Sequence, residues 1–240
     1  MQSRMSKLSL VLVFLTICSI CSLALASTRQ DDDQLRKATN VLNEIMQTPD
    51  KSIPKDLLEK AVCVGVVPSE LKFALGVGGS YGRGVLVCRK GGDGSWGAPS
   101  FFTLGGGSFG FQIGGKAMDV VFIVMNPDGA KKLVQDSVKV GAGISVAAGP
   151  VGRAAGGATD VQLRAEILSY SRSRGLFAGA SLKGAVMKQD EDDNKSLYGH
   201  KVTAKEILID GTVSTPAAAR RLDAVLKKYS PKGGQPFRRG

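Results

Sequence analysis

The chain has 240 residues, with 32 Lys and Arg against 21 Asp and Glu, for a formal net charge of +11. Hydrophobic residues make up 43% of it, which excludes a disordered chain, and its 31 glycines follow no three-residue period, which excludes a collagen-like one. A single His leaves little from which to build a His-based metal site or catalytic triad, so the composition leans away from an enzyme.

At about 100–200 residues per domain, the length suits one domain or a small pair, with a core that needs no disulfide staples. Arg4 and Lys7 open the chain, Leu8 to Leu23 carries no charge, and Ala24-Leu25-Ala26 is a small-x-small cleavage site. That layout predicts a signal peptide over residues 1–26 and a secreted or periplasmic product. The uncharged stretch would also just span a bilayer if left uncleaved. Cleavage removes Cys18 and Cys21 and leaves Cys63 and Cys88. Both lie in apolar runs, so two buried thiols are expected, although export would permit a disulfide.

Leu35, Ala38, Leu42 and Ile45 recur at helical spacing and predict an amphipathic helix over about 33–47, with Asp31 to Asp33 at its positive end. Pro54 marks the start of a second, short helix with Leu57, Leu58 and Ala61 on its apolar side. From Val62 the texture changes to short β-prone runs broken by glycine. Phe73 to Val77 and Val85 to Val87 read as a hairpin around a glycine-rich turn from Gly78 to Gly84. Phe101–Leu104, Phe109–Ile113 and Val120–Met125 continue the strands, and Asn126-Pro127 caps a helix over about 127–136. Residues 138–147 and 161–188 are again strand-like. Thr203 with Glu206 forms a capping box opening a short helix, and Thr215-Pro216 caps a last helix with Leu222, Val225, Leu226 and Tyr229 on one face. The basic tail over 231–240 is expected to be disordered. The expected fold is α+β: a glycine-rich, mainly antiparallel β core flanked by N- and C-terminal helices, occupying residues 27–230.

The chemical motifs weaken on inspection. Gly105-x-Gly107-x-x-Gly110 has the letters of a dinucleotide fingerprint, but a strand pattern follows where a helix is required, so tight strand packing accounts for it better. Asp190-x-Asp192-x-Asn194 imitates a calcium loop, but Lys195 and Lys201 occupy the positions of the required Gly and Glu; a solvated acidic loop is expected. Asn194-Lys195-Ser196 is a glycosylation sequon, and His200 has no metal-shell neighbours in sequence. No base–orienter pair or nucleophile elbow supports a catalytic serine. The sequence thus predicts no catalytic residue, no metal and no cofactor. Sparse aromatics and export argue against nucleic acid, whereas scattered Lys and Arg suit an anionic membrane surface.

Several motifs in fixed order lead further. These are Ile53-Pro54 with Ala61; Gly82-x-Gly84-Val85 with Arg89; Trp96-x-x-Pro99-Ser100; and Gly110-Phe111-Gln112-Ile113-Gly114 with Asp119-Val120-Val121. Gly149-Pro150-Val151-Gly152-Arg153 and Ser169-Tyr170-Ser171-Arg172-Ser173-Arg174-Gly175-Leu176-Phe177-Ala178-Gly179 follow. Over about residues 35–229 the chain resembles the SYLF domain family, the lipid-binding domains of yeast actin-patch proteins, an animal SH3-containing protein, plant FYVE proteins and bacterial exported proteins. The resemblance implies phospholipid binding, especially of phosphoinositides, without catalysis, and actin binding in eukaryotic members. It also implies a membrane-binding N-terminal helix, here about Leu35 to Met46 with Arg36 and Lys37. The sequence departs from that pattern in the acids Asp31 to Asp33 and Glu44, and in Lys116 and Lys183, which stand where the family favours an acid or Gln and could form a new basic patch. Candidate lipid contacts are Arg36, Lys37, Arg153, Arg172 and Arg174; Arg153 and Arg174 could instead pair with a buried acid such as Asp119. The alternative function is a structural or protein-interaction module of the envelope.

Overall fold

A computed structural model describes residues 29–48, 52–68, 79–91, 94–107, 118–152, 164–173 and 176–231. Residues 1–28, Phe73 to Val77, Phe109 to Ile113, Arg153, Arg174 and nearly all of the basic tail lie outside them. Nine described strands form one sheet, in the order β5-β9-β3-β2-β1-β4-β7-β6, with β8 also on β7. They are β1 (Cys63–Val67), β2 (Gly79–Arg89), β3 (Trp96–Gly107), β4 (Asp119–Val124), β5 (Ser137–Lys139), β6 (Val146–Ala148), β7 (Ile167–Ser173), β8 (Leu176–Gly179) and β9 (Val186–Gln189). All named pairings are antiparallel except β6 on β7. The architecture is the expected α+β.

The apolar runs explain the central strands. β1 and β4 are buried at every position, so both faces of the sheet must be covered. On one face Val64, Val66, Val85, Phe101, Val121 and Ile123 meet helix α1 (29–47), α2 (Lys55–Lys60) and the last helix, α5 (Arg220–Tyr229). On the other, Leu86, Phe102, Leu104, Phe122 and Val124 pack with α3 (Pro127–Leu133) and with Val202, Ile207 and Leu208. Asn126 caps α3 as read, its Oδ1 accepting from Gly129 N–H at 2.8 Å. Glu206 accepts from Thr203 N–H and Oγ at 2.8 Å, although the turn that this capping box opens, Glu206–Asp210, is π-helical.

Glycines in the sheet are slots for rings. Gly65 faces Phe122 and Gly84 faces Phe102 across the ladder, and a Cβ at either would lie 2.1 Å and 2.3 Å from the ring's Cζ. The two rings then meet edge to face at 5.7 Å. This corrects the hairpin reading: Gly79 to Arg89 is one continuous strand, and Gly82 and Gly84 lie inside it because a Phe ring needs their empty side.

Other expectations are also corrected. α1 starts at residue 29, so Asp31 to Asp33 lie within its first turns rather than before it. Residues 137–148 form two short strands around a turn. The expected acidic loop is helix α4 (Glu191–Tyr198), with Asp190 as its N-cap, accepting from Asp193 N–H at 3.2 Å. Its sequon residue Asn194 is buried, with Oδ1 accepting from Phe101 N–H at 2.8 Å and Nδ2 donating to Ser100 Oγ at 3.0 Å, so the folded chain offers no amide there for glycosylation. The last helix is preceded by a 3-10 turn (Ala217–Ala219) whose N-cap, Pro216, supplies no side-chain cap. Cys63 and Cys88 form a disulfide rather than two thiols, because the β1–β2 register sets them directly opposite each other.

Candidate functional site

The sequence-predicted contacts on α1 fare differently from their helical-wheel appearance. Leu35, Ala38, Val41, Leu42, Ile45 and Met46 are all buried against the sheet, so the apolar side of the helix is spent inside the fold. Arg36 is exposed and pairs with Asp33; Lys37 also pairs with Asp33, at 2.9 Å. Asp33 is held below the usual carboxylate range, first by its hydrogen bond from Arg36 and then by that from Lys37. The local charge of this face is therefore partly cancelled.

Arg172 sits directly across from Asp119 in the β4–β7 ladder. Its Nε and Nη2 donate to the Asp119 carboxylate at 2.8 and 2.7 Å, and its Nη1 to Glu44 of α1. Together with Lys37, Asn40, Val41 and Pro68 these residues line a cleft of about 270 Å³. Asp119, the acid foreseen as a partner for Arg153 or Arg174, pairs with Arg172, whose position opposite it only the strand register reveals. Arg153 and Arg174 lie outside the described residues, so the structure brings together Arg172 and Lys37 and leaves Arg36 on the outer side of α1.

Two arginines to which sequence reading gave no role, the half-buried Arg83 and the buried Arg89, hold the scaffold. Arg83, on β2, pairs with Asp193, with Asp31 at 3.4 Å and with Asp190 at 3.9 Å, tying α1 and α4 to the sheet. Burial raises the Asp31 and Asp190 carboxyls above their ordinary value, and Arg83 opposes the rise. Arg89 donates to Ala61 O at 2.9 Å and Gly94 O at 2.6 Å and to Ser230 Oγ, and lies 4.0 Å from the Trp96 ring centroid. Trp96 Nε1 donates to Ser230 O at 3.0 Å, so both motif residues pin the end of α5. Burial pushes the Arg89 guanidinium down to about 10.

Tyr170 and Phe177, from the most distinctive motif, stack at 5.3 Å, and the Tyr170 ring fills the space that a Cβ on Gly149 would take. Burial raises the Tyr170 phenol, whose oxygen has no hydrogen-bond partner among the described residues. Its role is packing. His200 is exposed, its Nδ1 3.0 Å from Tyr198 O. Among the described residues no group of three or more His, Cys, Asp or Glu is arranged to hold a metal ion, and no helix is long and apolar enough to cross a membrane.

Residues 105–229, half the chain, match the family described as Ysc84, Las17-binding protein actin regulator. The chain belongs to this SYLF family. Its SYLF relatives include an SH3 domain-containing protein of Schizosaccharomyces pombe, 40% identical over 72% of this chain and 40% of that protein. LAS seventeen-binding protein 3 of Saccharomyces cerevisiae is 33% identical over 84% of this chain and 46% of its own. The human SH3 domain-containing YSC84-like protein 1 is 32% identical over 83% and 59%. The match therefore spans about half the length of these relatives. The contacts above give the motif residues a structural meaning: Gly84, Arg89, Trp96, Asp119 and Tyr170 build the scaffold.

Proposed function

We propose that this chain is an exported, non-catalytic SYLF protein that associates with anionic phospholipid at a membrane surface. The observation that carries the reading is how charge is divided. Asp31, Asp119, Asp190 and Asp193 are engaged by Arg83 and Arg172, while Lys139, Lys188, Arg220, Arg221 and Lys228 face solvent. An excess of outward cations attracts a surface of opposite sign. The leader-like segment before Ser27 and a disulfide in the middle of the sheet both favour an oxidising compartment, secreted or periplasmic, for the domain of residues 27–230.

The test is flotation of the protein with vesicles of phosphatidylcholine alone and mixed with phosphatidylglycerol or a phosphoinositide, across a salt series. Binding to the anionic vesicles that weakens with salt is the expected result; no binding to any vesicle at low salt overturns the reading. The second reading, a protein-interaction module, draws on relatives described as Las17-binding and as actin regulators. Direct, lipid-independent binding to purified actin or to a Las17-type partner would favour it.

A further inference from the structure

Around β5 and β9 one face of the sheet is exposed among the described residues, as far as Arg83, which is held against α1 and α4. Two rows cross four strands there, set by the ladder register. One runs Lys139–Val186–Gly105–Tyr81, the other Ser137–Lys188–Thr103–Arg83. The opposite side of the same strands is core, through Val138, Met187 and Leu104, so by strand alternation these residues share the other face, where Tyr81, Ser137, Lys139, Val186 and Lys188 are exposed and Gly105, Thr103 and Arg83 half-buried. Tyr81 is 49% exposed and Val186 37%, two of the three large hydrophobics that stand out at the described surface, and Lys139 and Lys188 are exposed beside them. Lys183 follows in the exposed turn against Gly141. Neither row contains an acid, and the charge of Arg83 is already engaged by three carboxylates.

We infer that this face, rather than α1, is where the protein meets an anionic bilayer; the inference rests on the lipid-binding reading above and assigns it a surface. Four strands at about 4.8 Å spacing give a patch roughly 14 Å across. Small Gly105 and Thr103 within the rows keep it low in relief, which suits a bilayer better than a gripped peptide. Lysines supply point charges for phosphate headgroups. A Tyr beside an aliphatic residue is the kind of side chain that settles at the headgroup boundary. By contrast, α1 has buried its apolar side and pairs Arg36 and Lys37 with Asp33.

The experiment compares the full chain with Lys139→Glu/Lys188→Glu, with Tyr81→Ser and with Arg36→Glu/Lys37→Glu, in flotation with phosphatidylcholine vesicles containing phosphatidylglycerol. All altered side chains are surface ones, and matching thermal unfolding curves keep a folding defect from being read as a binding one. The lysine pair is expected to weaken partitioning by roughly tenfold or more, since each placed lysine contributes about a factor of five. Tyr81→Ser is expected to weaken it several-fold, and the α1 pair less than threefold. Loss confined to the α1 pair overturns this inference while leaving lipid binding intact. Failure of the unaltered chain to float overturns both. Retention on immobilised polyglutamate without vesicle binding would make the face an acidic-protein site and equally contradict the membrane assignment.

Discussion

Replacing Arg89 with Met tests how the motif residues hold the SYLF scaffold. The Met keeps much of the side chain's volume beside Trp96 but removes every donor. Two well-formed bonds are lost, to Ala61 O at 2.9 Å and Gly94 O at 2.6 Å, together with that to Ser230 Oγ. Hydrogen bonds from a charged donor contribute about 1.5–3 kcal/mol each, and the buried carbonyls left behind cost about 1–3 kcal/mol each. Against this, the cation is no longer held out of water, a strain visible in its pKa being pushed down to about 10. The net loss should be about 3 kcal/mol, or roughly 6–12 °C in Tm for a domain of this size. Urea and thermal unfolding would measure it, with Arg89→Lys recovering less than half because one ammonium cannot reach the same carbonyls. A Met variant within about 0.5 kcal/mol of the unaltered protein, the scale of an ordinary surface substitution, would refute the assignment of Arg89 as the pin of α5.

Gly65→Ala should destabilise by about 1–3 kcal/mol, since its Cβ would fall 2.1 Å from Phe122 Cζ; adding Phe122→Leu should recover part of that loss, and two independent losses in urea titrations would contradict the ring-slot account. Reducing the Cys63–Cys88 bond, which closes a loop of 25 residues in sequence, should cost about 3 kcal/mol, checked by unfolding with and without reductant. Arg83→Met leaves Asp31, Asp190 and Asp193 without their cation and should cost about 3 kcal/mol at pH 7. Burial raises Asp31 and Asp190, so the folded variant takes up protons before the unfolded chain as pH falls. Its deficit should therefore shrink from neutral pH toward about pH 4, and a deficit independent of pH would contradict the carboxylate cluster.

What could be read from the sequence followed from local physics. The run from Val120 to Val124, the Asn126 cap and the apolar stripe of α1 each appear where periodicity and capping chemistry put them. Glycine misled, because the residue that punctuates turns is also the one that admits a ring: Gly84 is explained only by Phe102 on the next strand. The stretch from Asp190 to Tyr198 looked like a solvated loop because its polar letters hide Asn194, which is buried for its bonds to residues more than ninety positions away. Register likewise decided the disulfide and the Asp119–Arg172 pair, since neither spacing carries the information of which residues stand opposite. The candidate surface was the least legible. Tyr81, Lys139, Val186 and Lys188 are far apart in sequence, and only the strand order β5-β9-β3-β2 brings them onto one face.

The most direct measurement places an environment-sensitive fluorophore at Val186→Cys, or at Arg36→Cys for comparison, with Cys18 and Cys21 replaced by Ser and the Cys63–Cys88 bond kept. On vesicles containing phosphatidylglycerol, the probe at 186 should shift to the blue and become shielded from iodide, while the probe at 36 stays in water. The reverse pattern, a dry probe on α1 and a wet one at 186, would contradict the account.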